Sequence, residues 1–202
     1  MGDDGHTRMK RRPTIEQLCR RHGNEHHHTE HVARLALQLF ASAGQRLGME
    51  PGDRPLLEAA SRLHDVGYLA APAAHAKASA SLVMAHGLTG FSPGECRDIA
   101  AAILLHSKRY QKRLNHPIIR ALPAPERAFR LAAVLRVADG LDHGHIQNVS
   151  IRSVRILRSL VLVALAGETD QPNAPAASAK ADLWRTVFPL DVRFTAGRRR
   201  PD

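Results

Sequence analysis

Apolar residues recur at three- and four-residue spacing over most of the chain, and past residue 146 they gather into short unbroken runs. The first pattern predicts helices and the second strands. Thr14, with Gln17 three positions on, reads as a helix start, and that helix runs through Arg21 to a break at Gly23-Asn24. From His28 the positions Val32, Leu35, Ala36, Leu39 and Phe40 mark one apolar face, with His28 at its N-terminal end. Pro51-Gly52 is a turn. Asp53 then caps a helix lined inwardly by Leu56, Leu57, Ala60, Leu63 and His64 and stopped by Gly67. A short helix from about Lys77 to His86 ends at Gly87. Ser92-Pro93-Gly94-Glu95 carries a capping box and opens a helix reaching His106. The stretch from Phe129 to Ala138 is apolar on nearly all sides, so its helix is buried and Asp139 is an acid on the floor of the core. Val149–Val154, Leu160–Leu165 and Leu190–Phe194 read as strands, with an amphipathic helix over Ala177–Val187.

These elements predict a mainly α chain: a helical bundle over 14–147 with a small C-terminal β-β-α-β subdomain over 148–195. Loose tails are expected at 1–13 and, basic in character, at 196–202. The 202 residues are 44% hydrophobic and only 4% aromatic, which suits close-packed helices better than a β sandwich. Lys and Arg number 29 against 19 acidic residues, a formal charge of +10. Two readings of that charge stay open: an anionic partner, or an Arg-rich solubilising surface. Cys19 and Cys96 form no disulfide framework or CxxC pair. With no run of roughly 20 apolar residues and no apolar leader, the expectation is a cytoplasmic protein with no membrane association.

The adjacent pair His64-Asp65, in Leu-His-Asp-Val-Gly-Tyr, carries the most chemistry. Neighbours on a helix point about 100° apart, so an imidazole and a carboxylate there rarely share a job unless something lies between them. His28, His64, Asp65 and Asp139 converge in the helical reading. Two imidazoles and two carboxylates without thiolate suit one divalent ion such as Mn, Mg, Fe or Zn. From spacing alone, Asp139 stays open between a metal ligand and a capping or salt-bridged residue, with Arg136 the nearest partner.

The phrases HTEHVARLALQLF, LHDVGYLAAPAAHAKAS, GFSPGE, LLHSKRY, LRVADGLDHGH and AKADLWRTVFPLDV cover roughly residues 26–194. They resemble the HD superfamily of metal-dependent phosphohydrolases. More narrowly, they resemble the C-terminal HD region of the exopolyphosphatase and guanosine pentaphosphate phosphohydrolase family. The resemblance implies metal ligation by His28, His64, Asp65 and Asp139, with Asp65 also catalytic. It prefers His28 over its competitors His26 and His27; His31, three residues on, is open between a helping ligand and a partly exposed helix residue. His106 and Lys108 match a His-Arg position near the family's site. With Lys77 and Arg109 they are candidates for binding substrate phosphate, set against the plainer readings of a helix-end His and Lys and a solvated basic run. Asp142 and His145 are expected either to orient the ligands from behind or to serve as loop caps. Two departures bear on the implied activity. Family members carry actin-like domains upstream that hold their catalytic machinery, and no Gly-rich phosphate loop is found here. The family's HHKHS phrase is replaced by His75-Ala76-Lys77-Ala78-Ser79, so ligands for a second ion are depleted.

The expected function is metal-dependent hydrolysis of a phosphate ester or anhydride: a nucleotide, guanosine tetra- or pentaphosphate, or polyphosphate. The alternative is a non-catalytic module that binds polyphosphate or a nucleotide, with homodimerisation implied by the family's use of this region. Nucleic acid is disfavoured as a partner, because one Trp and two Tyr leave little to stack bases upon.

Overall fold

The computed structural model describes residues 11–22, 26–107, 109–167 and 173–196. Its helices are α1 (Ile15–His22), α2 (His26–Ala43), α3 (Asp53–Leu63), α4 (His75–His86), α5 (Pro93–His106), α6 (Pro117–Arg120) and α7 (Glu126–Leu141), followed by α8 (Asn173–Lys180) and α9 (Asp182–Val187). Three strands complete it: β1 (Val149–Ile156), β2 (Leu160–Gly167) and β3 (Asp191–Ala196). The chain is thus mainly helical with a small C-terminal sheet, as the hydrophobic pattern predicts.

Two helix starts take the form their sequence signals foretold. Thr14 Oγ1 accepts from the Gln17 N–H at 3.2 Å while Gln17 Oε1 accepts from the Thr14 N–H at 2.9 Å. Ser92 and Glu95 make the same reciprocal pair at 3.2 and 2.8 Å, satisfying donors that helix geometry leaves orphaned. Asp53 behaves differently from expectation. Gly52 is already helical in its backbone angles, so Asp53 is the first residue of α3, and its carboxylate accepts from the Glu50 N–H at 2.9 Å. The Gly23-Asn24 break lies outside the described residues, as do residues 1–10 and 197–202. Arg12 and Pro13 hydrogen-bond to the segment 89–91, fastening the start of α1 to the α4–α5 connection.

Helix α7 is the axle of the fold. It packs against α2, α3 and α5 on one side and against α8 and α9 on the other, which is why every residue from Leu131 to Asp142 is buried. Gly140 makes this possible: a Cβ there would stand 2.6 Å from the Cα of Ala177 on α8. Gly67 has the same role after α3, where a Cβ would stand 2.6 Å from the Cβ of Ala78, and its N–H donates to Ser79 Oγ at 2.9 Å.

In the sheet, β2 lies between antiparallel β1 and parallel β3. Val161, Val163 and Leu165 alternate inward along β2. The connection from β2 to β3 is helical, as a parallel pair requires, but the single helix expected over 177–187 is two. Arg136 Nε takes the carbonyl of Lys180 at 3.1 Å, and Asp182 Oδ1 accepts from the Leu183 N–H at 2.8 Å. The first bond withdraws a carbonyl from the helical ladder and the second satisfies a donor in the first turn of α9. Trp184 is fully buried and donates to the Leu190 carbonyl at 2.8 Å. Among the described residues no helix is long and apolar enough to cross a membrane.

Candidate metal centre

Five helices deliver side chains to one point beside α7. In the first turn of α2, His26 and His27 are exposed while His28 is 1% exposed, because only its position shares a face with Val32, Leu35 and Leu39. His64 ends α3 and Asp65 follows it, both buried. His75 opens α4, His106 closes α5, and Asp139 lies in the last turn of α7.

The imidazoles share one orientation. His64 Nδ1 lies 2.7 Å from the Ser61 carbonyl, His75 Nδ1 2.9 Å from that of Pro72, and His106 Nδ1 2.6 Å from that of Ile103. A carbonyl only accepts, so each Nδ1 carries the proton and donates it, leaving the Nε2 lone pair to face inward. His28 Nδ1 donates to Asp142 Oδ2 at 2.7 Å. Four Nε2 atoms therefore face the two carboxylates. His28 Nε2 and His64 Nε2 stand 3.3 Å apart, and His28 Nε2 is 3.6 Å from Asp139 Oδ1. Asp65 Oδ2 is 3.6 Å from His64 Nε2. Its Oδ1 stands 3.5 Å from His75 Nε2 and 3.6 Å from His106 Nε2, yet that buried oxygen accepts no hydrogen bond.

Charge is compensated around these atoms. Burial alone would push His28 down, but Asp139 and Asp142 outweigh it and raise its pKa to about 9. Burial likewise opposes the charge on Asp139, and the Lys180 ammonium and His28 overcome it, holding the carboxyl well below the usual range. Asp65 is lowered against its burial by the imidazoles of His64 and His106. Asp142 is lowered, again against burial, by its bonds from His28 and Gln147. His106 is the opposite case: its burial and His64 push it down to about 3, so it is a neutral imidazole.

The donor set fits a divalent cation. Neutral imidazole nitrogens with carboxylate oxygens suit borderline to hard ions, backbone and carboxylate acceptors fix the rings from behind, and Asp65 Oδ1 is a buried acceptor with nothing to accept from. Three overlapping trios place their ligand atoms within 4.8 Å of one another: His28, His64 and Asp65; His64, His106 and Asp139; and Asp65, His75 and His106. Among the described residues no trio contains both Asp65 and Asp139.

A family model described as Ppx/GppA phosphatase, domain III, matches residues 10–166, most of the chain. The chain belongs to this family. No curated protein matches it. The family is one of phosphatases, which makes a hydrolase the coarse class, and the buried His and Asp groups of this Ppx/GppA domain can hold a metal ion.

Of the residues singled out in the sequence, the structure brings together His28, His64, Asp65, His106 and Asp139, with Asp142 behind His28. His145 stacks on His28, ring centroids 3.7 Å apart and planes 5° from parallel. Lys77 is exposed on α4. Arg109 is exposed too and, among the described residues, makes no hydrogen bond or ion pair with the cluster. Lys108 lies outside the described residues. His31 is 6% exposed rather than partly exposed, with its Nδ1 3.0 Å from Arg34 Nη2. Arg136 is not the partner of Asp139. It is turned away to Asp182, at 2.6 Å, and to the carbonyls of Leu105 and His106 at 2.8 and 3.1 Å.

Sequence reasoning missed two members. His75 reaches Asp65, in a segment whose departure from the family phrase points to depleted ligands; its position opening α4, three residues after Pro72, is the available signal. Lys180 forms an ion pair with Asp139 from 41 positions away. It lies within AKADLWRTVFPLDV, where a lone Lys on an amphipathic helix looks like surface. A groove of about 1360 Å³ beside α1, edged by Arg11, Arg12, Arg20, Arg21 and His86, shares no residue with the cluster.

Proposed function

We propose that this Ppx/GppA domain carries an HD-type metal centre and hydrolyses a phosphate ester or phosphoanhydride. His28, His64, Asp65 and Asp139 would hold one divalent ion. The observation that carries the reading is the inward convergence of four Nε2 atoms, each ring anchored at Nδ1, on the carboxylates of Asp65 and Asp139, with the Oδ1 of Asp65 accepting no hydrogen bond. The chemistry such an ion supplies is Lewis acidity, which polarises a phosphoryl oxygen and acidifies water.

The chain's own residues do the remaining work. Asp142 holds His28 by its Nδ1–H, so the ring presents Nε2 in a fixed direction. We assign to Asp65 the steering of the attacking water, its carboxylate kept ionised beside His64 and His106. His106, neutral and fully buried in effect, positions rather than neutralises. Lys77, Lys108 and Arg109 are the groups we assign to substrate phosphate. The class of substrate is a phosphate-rich small molecule or polyphosphate.

Phosphate release from a panel of nucleotides, guanosine tetraphosphate and polyphosphate, with Mn²⁺ added, tests this. Turnover that disappears in Asp65→Ala, with the fold intact by circular dichroism, is the expected result. Bound metal with no turnover on any substrate would favour the second reading, a module that binds such anions without cleaving them. The observation behind that reading is the internal pairing of Asp139 with Lys180, a site able to neutralise itself.

A further inference from the structure

We propose that Lys180 is a built-in competitor of the cation: its ammonium holds Asp139 in the metal-free protein, and ion entry drives it off. The inference rests on the metal-centre reading above. Lys180 Nζ bonds Asp139 Oδ2, so one of the two oxygens that an ion would use is already spent on a positive charge. A divalent ion on the same carboxylate would sit within a few ångströms of that ammonium, and like charges at such range in a buried setting repel strongly. The two cations exclude one another.

Three features of the structure give the exchange a direction. The Lys180 side chain is 26% exposed while that of Asp139 is 8% exposed, so the ammonium has a way out to solvent and the carboxylate does not. The Lys180 backbone cannot follow, because Arg136 holds its carbonyl and Ala177 is pressed onto Gly140; only the flexible stem moves. Finally, Lys180 takes Asp139 Oδ2 while Oδ1 of the same carboxylate faces His28 Nε2 at 3.6 Å and His64 Nε2 at 4.0 Å, so ammonium and ion would have to share one carboxylate. The opposite role has Lys180 orient Asp139 for the ion from behind, as outer groups often do. The two roles predict opposite signs.

The test is Mn²⁺ titration of the full chain, stripped with EDTA, by calorimetry and by loss of the free-ion electron paramagnetic resonance signal. Lys180→Met is expected to bind Mn²⁺ roughly five- to tenfold more tightly than the native chain, the gain from no longer breaking an ion pair. Lys180→Arg, which keeps the charge, is expected to stay within about twofold of native. Unchanged or weaker binding by Lys180→Met overturns the inference and leaves the metal centre standing. No Mn²⁺ bound by either protein removes both. A second measurement needs no variant: acetylation of Lys180 in the native chain, followed by mass spectrometry, is expected to rise when saturating Mn²⁺ is added. Labelling that stays level or falls overturns the competition.

Discussion

In the metal-free chain His28 keeps its proton well above the range of an ordinary histidine, and folding stability must therefore fall as pH rises. The imidazole lies between Asp142 at 2.7 Å and Asp139 at 3.6 Å, and its pKa is raised from 6.5 to about 9. A group whose folded pKa exceeds its unfolded one contributes its full stabilisation below the unfolded value and loses it as pH climbs through the folded value. The window is therefore about pH 6.5 to 9. The raised pKa spans about 2.5 pH units, and at 1.36 kcal/mol per unit the loss is about 3 kcal/mol. His28 is 1% exposed, so solvent screening takes little from this. His22, His31 and His116 are lowered by burial and His106 is pushed down to about 3, so the contributions of these four change only below pH 6.5. Cys19 and Cys96 are raised by burial, and their unfolded thiols add a slope of their own above about pH 8.5.

Guanidinium unfolding followed by circular dichroism, in EDTA from pH 6 to 9.5, measures the effect. His28→Gln supplies the background that carries the cysteine slope. The difference between the two proteins should shrink by about 3 kcal/mol across the window. A difference that stays flat, or that grows with pH, would refute the imidazolium sandwich. With saturating Mn²⁺ the native slope should reverse, because a ligating imidazole must be deprotonated and ion binding is then favoured by high pH.

Three further outcomes follow from packing and hydrogen bonding. Gly140→Ala places a methyl against the backbone of Ala177 and should cost about 1–3 kcal/mol by thermal or denaturant melting, with α8 displaced. Arg136→Met strands Asp182 and the carbonyls of Leu105, His106 and Lys180, and should cost about 3–5 kcal/mol on the same assay. Ser92→Ala removes one half of the α5 capping box and should cost about 1 kcal/mol while leaving Mn²⁺ affinity unchanged, since the opposite end of α5 carries His106.

Much of the bundle was legible because its signals are local. A Thr or Ser followed three residues later by Gln or Glu starts a helix through contacts confined to one turn, and a face such as His28, Val32, Leu35 and Leu39 declares its own inside. That is also why His28 could be separated from His26 and His27 without a structure. The His-Asp adjacency marked the point at which the buried cluster gathers. What stayed hidden was set by distant parts of the chain. Whether Arg136 or another cation meets Asp139 depends on how α8 crosses α7, and the close approach at Gly140 has no local signature beyond the glycine itself. His75 stayed hidden because its approach to Asp65 depends on how the start of α4 lies against the end of α3. The division of residues 177–187 into two helices was hidden for the same reason, since the carbonyl that ends α8 is taken by a side chain on α7.

The helical crossover between β2 and β3 is joined to the ligand cluster by Arg136. This side chain, 2% exposed, binds the carbonyls of Leu105 and His106 with one nitrogen and the Lys180 carbonyl and Asp182 carboxylate with others. It therefore ties the end of α5, where His106 faces Asp65, to the end of α8, where Lys180 faces Asp139, from a position one turn before Asp139 itself. Burying a guanidinium is costly unless its donors are met, and here they are met by the termini of two different elements, which cannot drift apart without exposing it. The crossover between β2 and β3 is thereby held in the one place from which Lys180 can reach the cluster. A segment far along the chain thus bears directly on the charge balance of the candidate site, through the pair of Lys180 with Asp139.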